Sequence, residues 1–300
     1  MTRFHSLSSR EARQAFWFIL PSMVALIVVA LYPILNTLWL SLNKVSLVLQ
    51  VFTFHGLKNY SRLLTDPKFI NAWKNTIFFT LVSVGLETLL GLFIALVIIK
   101  NFRGRALTRA SVLVPWAIPT VVSSKMWEWI FNSNYGVMNY FLLHLGLIGK
   151  TQNWLGTRGM AMNTAIFVDV WKTTPFMALL ILAGLTSIPQ DIFESAKIDG
   201  AGSLQAFFSI TLPLIKQILL ISMLLRTLDA FRVFDLIFIL TKGGPADSTE
   251  VLSTYTYKTL FSVTNFGYGS TLAMSMFFTV LAIAIVYFFL TSAREDGSTD

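Results

Sequence analysis

Residues 164–186 read TAIFVDVWKTTPFMALLILAGLT, and residues 187–213, which follow directly, read SIPQDIFESAKIDGAGSLQAFFSITLP. The first stretch is apolar for long enough to cross a bilayer as a helix, which takes about 20 residues. Asp169 and Lys172 interrupt it. Ionisable groups at membrane depth are costly, so they mark positions that pair or work. The second stretch changes character. Ser187-Ile188-Pro189-Gln190-Asp191-Ile192-Phe193-Glu194 reads as a helix start, with a polar residue, then proline, then acids in the first turns where the helix dipole favours them. It is too long and polar for a turn, and it runs straight into another apolar segment. A membrane helix, a structured polar connection and a second membrane helix make an all-α membrane protein.

Working outward, six runs have the length and apolarity of membrane spans: 16–40, 76–99, 107–131, 164–186, 214–240 and 271–291. The third contains Pro115 and Pro119, so a kink or break is expected there. The chain is 55% hydrophobic and only 13% charged, about half the charged fraction usual for a soluble domain. Residues 1–15 carry Arg3, Arg10 and Arg13 ahead of a run that outlasts a signal-peptide core of roughly 7–15 residues, so the run is read as an uncleaved first span. The short connection around Lys100, Arg103, Arg105 and Arg109 is also basic. Both features predict a cytoplasmic N-terminus and a cytoplasmic second connection. Six spans then return the tail, 293–300, to the same side and place 187–213 there too. The outer connections, 41–75, 132–163 and 241–270, are longer and rich in Trp, Tyr, Asn and Gly. In the first of them, His55-Gly56-Leu57-Lys58-Asn59-Tyr60 reads as a turn into a short helix, serving either as surface packing or as a docking rim for an external partner.

Several functions fall away. There is no cysteine, and His5, His55 and His144 are scattered without metal-ligand spacing. The net charge of +8 is read as loop Lys and Arg meeting headgroups, because no basic helix or RNA-binding signature accompanies it. Gly149-Lys150-Thr151 resembles the end of a phosphate-binding loop, but His144 stands where that pattern needs glycine. The chain therefore carries no nucleotide site of its own.

Glu194-Ser195-Ala196, then Asp199-Gly200, nine further residues and Ile210-Thr211-Leu212-Pro213 match the spacing of the EAA signature, with Ser195 in place of the middle alanine. The chain thereby resembles the binding-protein-dependent permeases of ABC importers. Tyr32-Pro33, Leu113-Val114-Pro115, Trp171-Lys172-Thr173-Thr174-Pro175-Phe176 and Gly243-Gly244-Pro245 are similar to the carbohydrate, maltose/trehalose-type branch, and 226–235 to the trehalose-type permeases in particular. The resemblance implies a type I importer permease fold of six helices over 16–292. It implies a coupling helix in the loop at about 187–213, with both tails cytoplasmic. Glu194, Ser195, Ala196, Asp199, Gly200 and Ala201 would meet the ATPase: Ser195, Ala196 and Ala201 as a small-residue face, Gly200 as a backbone hinge, and Glu194 and Asp199 as anionic contacts. It further implies a second related permease subunit, two ATPase subunits holding ATP and Mg, and an extracytoplasmic sugar-binding protein. The setting would be the cytoplasmic (inner) membrane of a bacterium or archaeon. The cargo implied is an oligosaccharide or an α-glucoside such as trehalose, maltose or glucosylglycerol. A secondary transporter would give no reason for 194–213. A membrane enzyme would need an exposed acid–base constellation that the sequence does not offer.

Two clusters of charge lie inside the spans: Asp169 and Lys172 in the fourth, and Arg226, Asp229, Arg232 and Asp235 in the fifth. At a rise of 1.5 Å per residue, Asp169 and Lys172 fall roughly 9 and 13 Å below the outer boundary; Arg232, Asp229 and Arg226 fall roughly 9, 13 and 18 Å below it. This depth matching predicts the pairs Asp169–Arg232 and Lys172–Asp229 across a polar cavity. The alternative is pairing within the fifth helix, Arg226–Asp229 and Arg232–Asp235. Asp169, Thr173 and Phe176 share one helix face beside Lys172, and the mixture of charges, hydroxyl and ring suits a sugar. Residues matching Asp169, Lys172, Thr173 and Phe176, with part of the fifth span near Arg226 and Asp229, hold the sugar by resemblance to the maltose-type permease. The same charges read equally well as structural locks between helices. Glu87 in the second span is read as structural, and Lys125 and Glu128 as snorkelling near the outer interface.

Overall fold

The computed structural model describes residues 9–46 and 50–292. The tails read above as cytoplasmic fall largely outside them, at 1–8 and 293–300. In chain order the helices are α1 (Ser9–Leu26), α2 (Tyr32–Ser41), α3 (Lys58–Leu63), α4 (Pro67–Ile98), α5 (Arg105–Ala117), α6 (Thr120–Ile130), α7 (Val137–His144), α8 (Met160–Thr186), α9 (Gln190–Ile198), α10 (Ser203–Ala206), α11 (Leu212–Ala230), α12 (Asp235–Leu240), α13 (Leu252–Tyr257) and α14 (Phe266–Ser292). Single π-helical turns join α1 to α2, α10 to α11, and extend α13.

Among the described residues, five helical stretches are long and apolar enough to cross a membrane: Glu11–Ser41, Pro67–Ile98, Met160–Thr186, Ser203–Ala230 and Phe266–Thr291. The pair α5 and α6 is long and apolar enough only when taken together, and the two helices are bent by 90° at their junction. The break expected in the third span is thus real and sharp. Ile118 is extended, as a residue before proline tends to be, and Pro119 caps α6, where its missing N–H costs nothing. The fifth span differs from expectation at both ends. It begins at Ser203 rather than 214, because the π turn at Phe207–Thr211 carries the helix through the connection. It ends at Ala230, and residues 231–234 leave helical geometry before α12 starts.

The chain divides into two compact units. One comprises the chain up to residue 64 with 256–275. It contains an antiparallel hairpin, β1 (Asn43–Ser46) against β2 (Val51–Phe54), that the sequence reading did not anticipate. The Asn59 amide donates to the carbonyls of Ser41 and Asn43 at 2.9 Å each. The turn at Gly56, with φ of +58°, leads into α3 as expected.

The other unit holds 65–255 and the chain from 276 on. Its spine is α4 against α8. Gly91 is required there: a Cβ on it would stand 2.8 Å from the Met177 side chain. Small residues let membrane helices approach closely where lipid gives no hydrophobic drive. α11 packs on both helices, and Ala95, Met177, Ile181 and Ile215 form a common buried cluster. Residues 241–251 are tied to α4 by the amides of Asn71 and Asn75, which donate to the carbonyls of Asp247 and Glu250. Three helices, α4, α8 and α11, are therefore fixed side by side, and the charged groups sit where they meet.

Candidate functional site

Arg226 organises the charges. It stands one turn before the end of α11 and is 2% exposed. Its Nε donates to Glu87 Oε2 at 2.5 Å and its Nη2 to Glu87 Oε1 at 2.8 Å, a two-pronged bond to α4. Nη2 also donates to Asp169 Oδ2 on α8 at 3.1 Å, and Nη1 to Asp229 Oδ2 at 2.6 Å. Thr173 Oγ1 lies 2.7 Å from Glu87 Oε1 and 2.6 Å from the Asp169 carbonyl oxygen, so one hydroxyl proton serves two acceptors. Charge-assisted and bidentate bonds of this kind are the strong ones, and burial makes their pairing obligatory.

On the open side of this network lies a cavity of about 240 Å³. Asp169, Lys172 and Thr173 line it from α8, Arg226 and Asp229 from α11, Arg232 and Phe234 from the break, and Asp235 from α12. Trp116 and Thr120 line it from either side of the α5–α6 bend. Trp116 stacks on Phe176, ring centres 5.5 Å apart and planes 12° from parallel. Lys172 is buried, and no carboxylate among the described residues lies within 4 Å of its ammonium. It and the partly engaged Arg226 supply donors, the three aspartates supply acceptors, and Trp116 supplies a flat apolar face. A larger cleft of about 470 Å³ between α4, α11 and α14 is lined by Ile, Leu, Val, Met and Phe with Thr80, Thr227 and Tyr287, and bears no charge.

At the far end of α11 lies the polar connection. α9 begins after Pro189 with Asp191 in its first turn. It ends in a paired closure: Gly200 N–H donates to the Lys197 carbonyl and Ala201 N–H to that of Ala196, with Gly200 at φ of +80°. Only glycine takes that conformation freely. Glu194, Ser195, Asp199 and Gly200 are exposed, whereas Ala196 is 9% exposed and turned into the chain.

Residues 87–294 match the family model described as "Binding-protein-dependent transport system inner membrane component". The chain belongs to this family. As a permease it is 42% identical to the trehalose/maltose transport system permease protein MalF of Thermococcus litoralis, over 97% of each chain. It is 36% identical to the trehalose transport system permease protein SugA of Mycobacterium tuberculosis, over 96% of this chain and 91% of that one. The sulfoquinovosyl glycerol transport system permease protein SmoG of Agrobacterium fabrum is 34% identical, over 98% and 94%. Among solved structures, a bacterial ABC transporter that imports the acidic polysaccharide alginate matches with a TM-score of 0.80 at 21% identity, covering 97% and 98% of the two chains. The permease has the type I importer fold and is a multi-pass membrane protein and a transport subunit, not an enzyme.

The permease draws its candidate residues together, though not in the pairs inferred from depth. Asp169 meets Arg226, not Arg232, and Lys172 pairs with no carboxylate among the described residues. The depth count takes the fifth span as one helix that leaves the membrane near Phe238. Because α11 ends at Ala230, Arg226 lies one turn from the helix end, level with Asp169. Of the pairs within the fifth segment, Arg226–Asp229 forms at 2.6 Å. Arg232 instead turns its Nε to the Leu228 carbonyl, and both it and Asp235 are exposed at the cavity. Phe176 does not line the cavity but backs Trp116, which does. Lys125 and Glu128 bond to each other at 2.6 Å on α6, both partly exposed. Trp116 went unnoticed although it stands between the two prolines of a predicted break, and Glu87, read as structural, joins the centre of the network.

Proposed function

We propose that this permease forms, with a second related permease subunit, the path by which an oligosaccharide or α-glucoside enters a bacterial or archaeal cell across the cytoplasmic membrane. An extracytoplasmic binding protein delivers the sugar. Two ATPase subunits, which hold the ATP and Mg, drive the cycle. The observation that carries this reading is the cavity of about 240 Å³, where aspartates, Lys172 and Arg226 stand beside the face of Trp116. Sugars present alternating hydroxyls and C–H faces, and this lining offers partners for both. The sugar transport named for MalF and SugA supports it.

The route of coupling follows from chain continuity. From Ser203 to Ala230 the backbone is helical without a break, a rod of about 42 Å at 1.5 Å per residue. One end adjoins α9, the proposed coupling helix on the cytoplasmic side, where exposed Glu194, Ser195 and Asp199 meet the ATPase and Gly200 turns the chain. The other end carries Arg226 and Asp229 into the cavity. Movement imposed at α9 is thereby delivered to the cavity wall, as alternating access requires.

The test is sugar uptake by the complete assembly in proteoliposomes, with labelled trehalose and maltose. Lys172→Ala and Asp169→Asn should each lower uptake at least tenfold while the assembly still forms. Wild-type uptake by both variants would remove the cavity from the path.

A further inference from the structure

Among the groups of the network, Glu87 alone never reaches the cavity. It is fully buried on α4, and its two oxygens take three bonds: Arg226 Nε at 2.5 Å, Arg226 Nη2 at 2.8 Å and Thr173 Oγ1 at 2.7 Å. Both donors belong to residues that line the cavity. A guanidinium has five N–H groups in one plane. Glu87 takes two, Asp169 takes the second Nη2 proton and Asp229 takes one on Nη1. One N–H remains, on Nη1, the nitrogen that faces exposed Asp229. The two-pronged bond to Glu87 fixes the plane of the guanidinium and so the direction of that remaining donor.

We infer that Glu87 is a positioning residue for sugar recognition: by gripping the buried edge of Arg226 and the hydroxyl of Thr173, it aims the Arg226 Nη1 donor and the Thr173 oxygen at a sugar in the cavity. This rests on the reading of the cavity as the sugar site. A purely structural role for Glu87 would need only its charge opposite Arg226. The positioning role needs its length as well, because a shorter carboxylate cannot span Nε, Nη2 and Thr173 together.

The test is equilibrium binding of labelled trehalose and of labelled maltose to the complete assembly held in nanodiscs, with the thermal midpoint of each variant measured alongside. Glu87→Gln keeps shape and an acceptor but loses charge. Glu87→Asp keeps charge but loses reach. Both should bind at least about tenfold more weakly, the worth of one or two bonds to a charged group, and Glu87→Asp, which keeps the buried charge pair, should hold a midpoint near that of the parent. Parent-like binding by Glu87→Asp overturns the inference and leaves Glu87 a counter-charge. Parent-like binding by Glu87→Gln overturns it too, as does weakening matched by loss of the folded assembly in both. Lys172→Ala separates the two levels. If it loses binding while the Glu87 variants keep it, only this inference falls; if it also binds normally, the sugar site lies elsewhere.

Discussion

Replacing Arg226 with alanine removes the one cation among the described residues that touches Glu87, Asp169 and Asp229 together. The Asp229 contact adds little, because that side chain is 67% exposed and water screens it. The loss at Glu87 dominates, since its carboxylate has no solvent and keeps only Thr173 as a donor. Breaking a buried pair by deleting one partner costs about 3–5 kcal/mol. At about 2 °C per kcal/mol for a chain of this size, the thermal midpoint in nanodiscs should fall by about 6–10 °C. Replacing both members by hydrocarbon, Glu87→Leu with Arg226→Met, removes the fully buried orphaned carboxylate but leaves Asp169 without its cation, and should recover part of that loss, although sugar binding stays absent. A single variant within about 2 °C of the parent, or a double variant as unstable as the single, would refute the claim that the pair is dry and mutually dependent.

Gly200→Val places a β-branched residue at φ of +80°, where a Cβ meets no atom within 4 Å; the cost is backbone strain alone, about 1–2 kcal/mol. The permease should still fold and assemble, but ATP hydrolysis should no longer respond to the sugar-loaded binding protein; normal uptake counts against the hinge. Thr80 is 4% exposed and its hydroxyl has no hydrogen-bond partner among the described residues. Thr80→Val should therefore be neutral or stabilise the fold, by up to about 1–2 kcal/mol, and a clear loss of stability shows a partner for that hydroxyl.

The spans were legible because a membrane leaves helices little alternative, and their apolar runs are long. The Pro115–Pro119 break was legible for the same local reason, the missing N–H and the extended residue before proline. The end of the fifth span was not. Residues 231–234 are as apolar on average as a helix, yet the chain turns there, with Phe231 buried beside Ala72 and Leu252 far away in sequence. With the helix ending at Ala230, four residues after Arg226, Arg226 stands level with Asp169, where the depth count of a continuous helix does not put it. The charged residues of the site were all visible as intramembrane charges, whereas Trp116 was not, and which of the charges pair depends on helix rotation, which composition does not encode. The hairpin at 43–54 escaped because its strands are short and sit within a loop whose polar and apolar residues follow no clean alternation.

The chain contains no cysteine, so a single introduced thiol reports its own position without background. Asp199→Cys, on the exposed end of α9, and Lys150→Cys, in the connection after α7, can each be challenged with a membrane-impermeant maleimide on sealed cells carrying the whole assembly. Labelling at 150 in intact cells, with 199 reached only after the membrane is opened and then shielded by the ATPase subunits, is the outcome expected. Labelling of 199 from outside in sealed cells would contradict the account at its root.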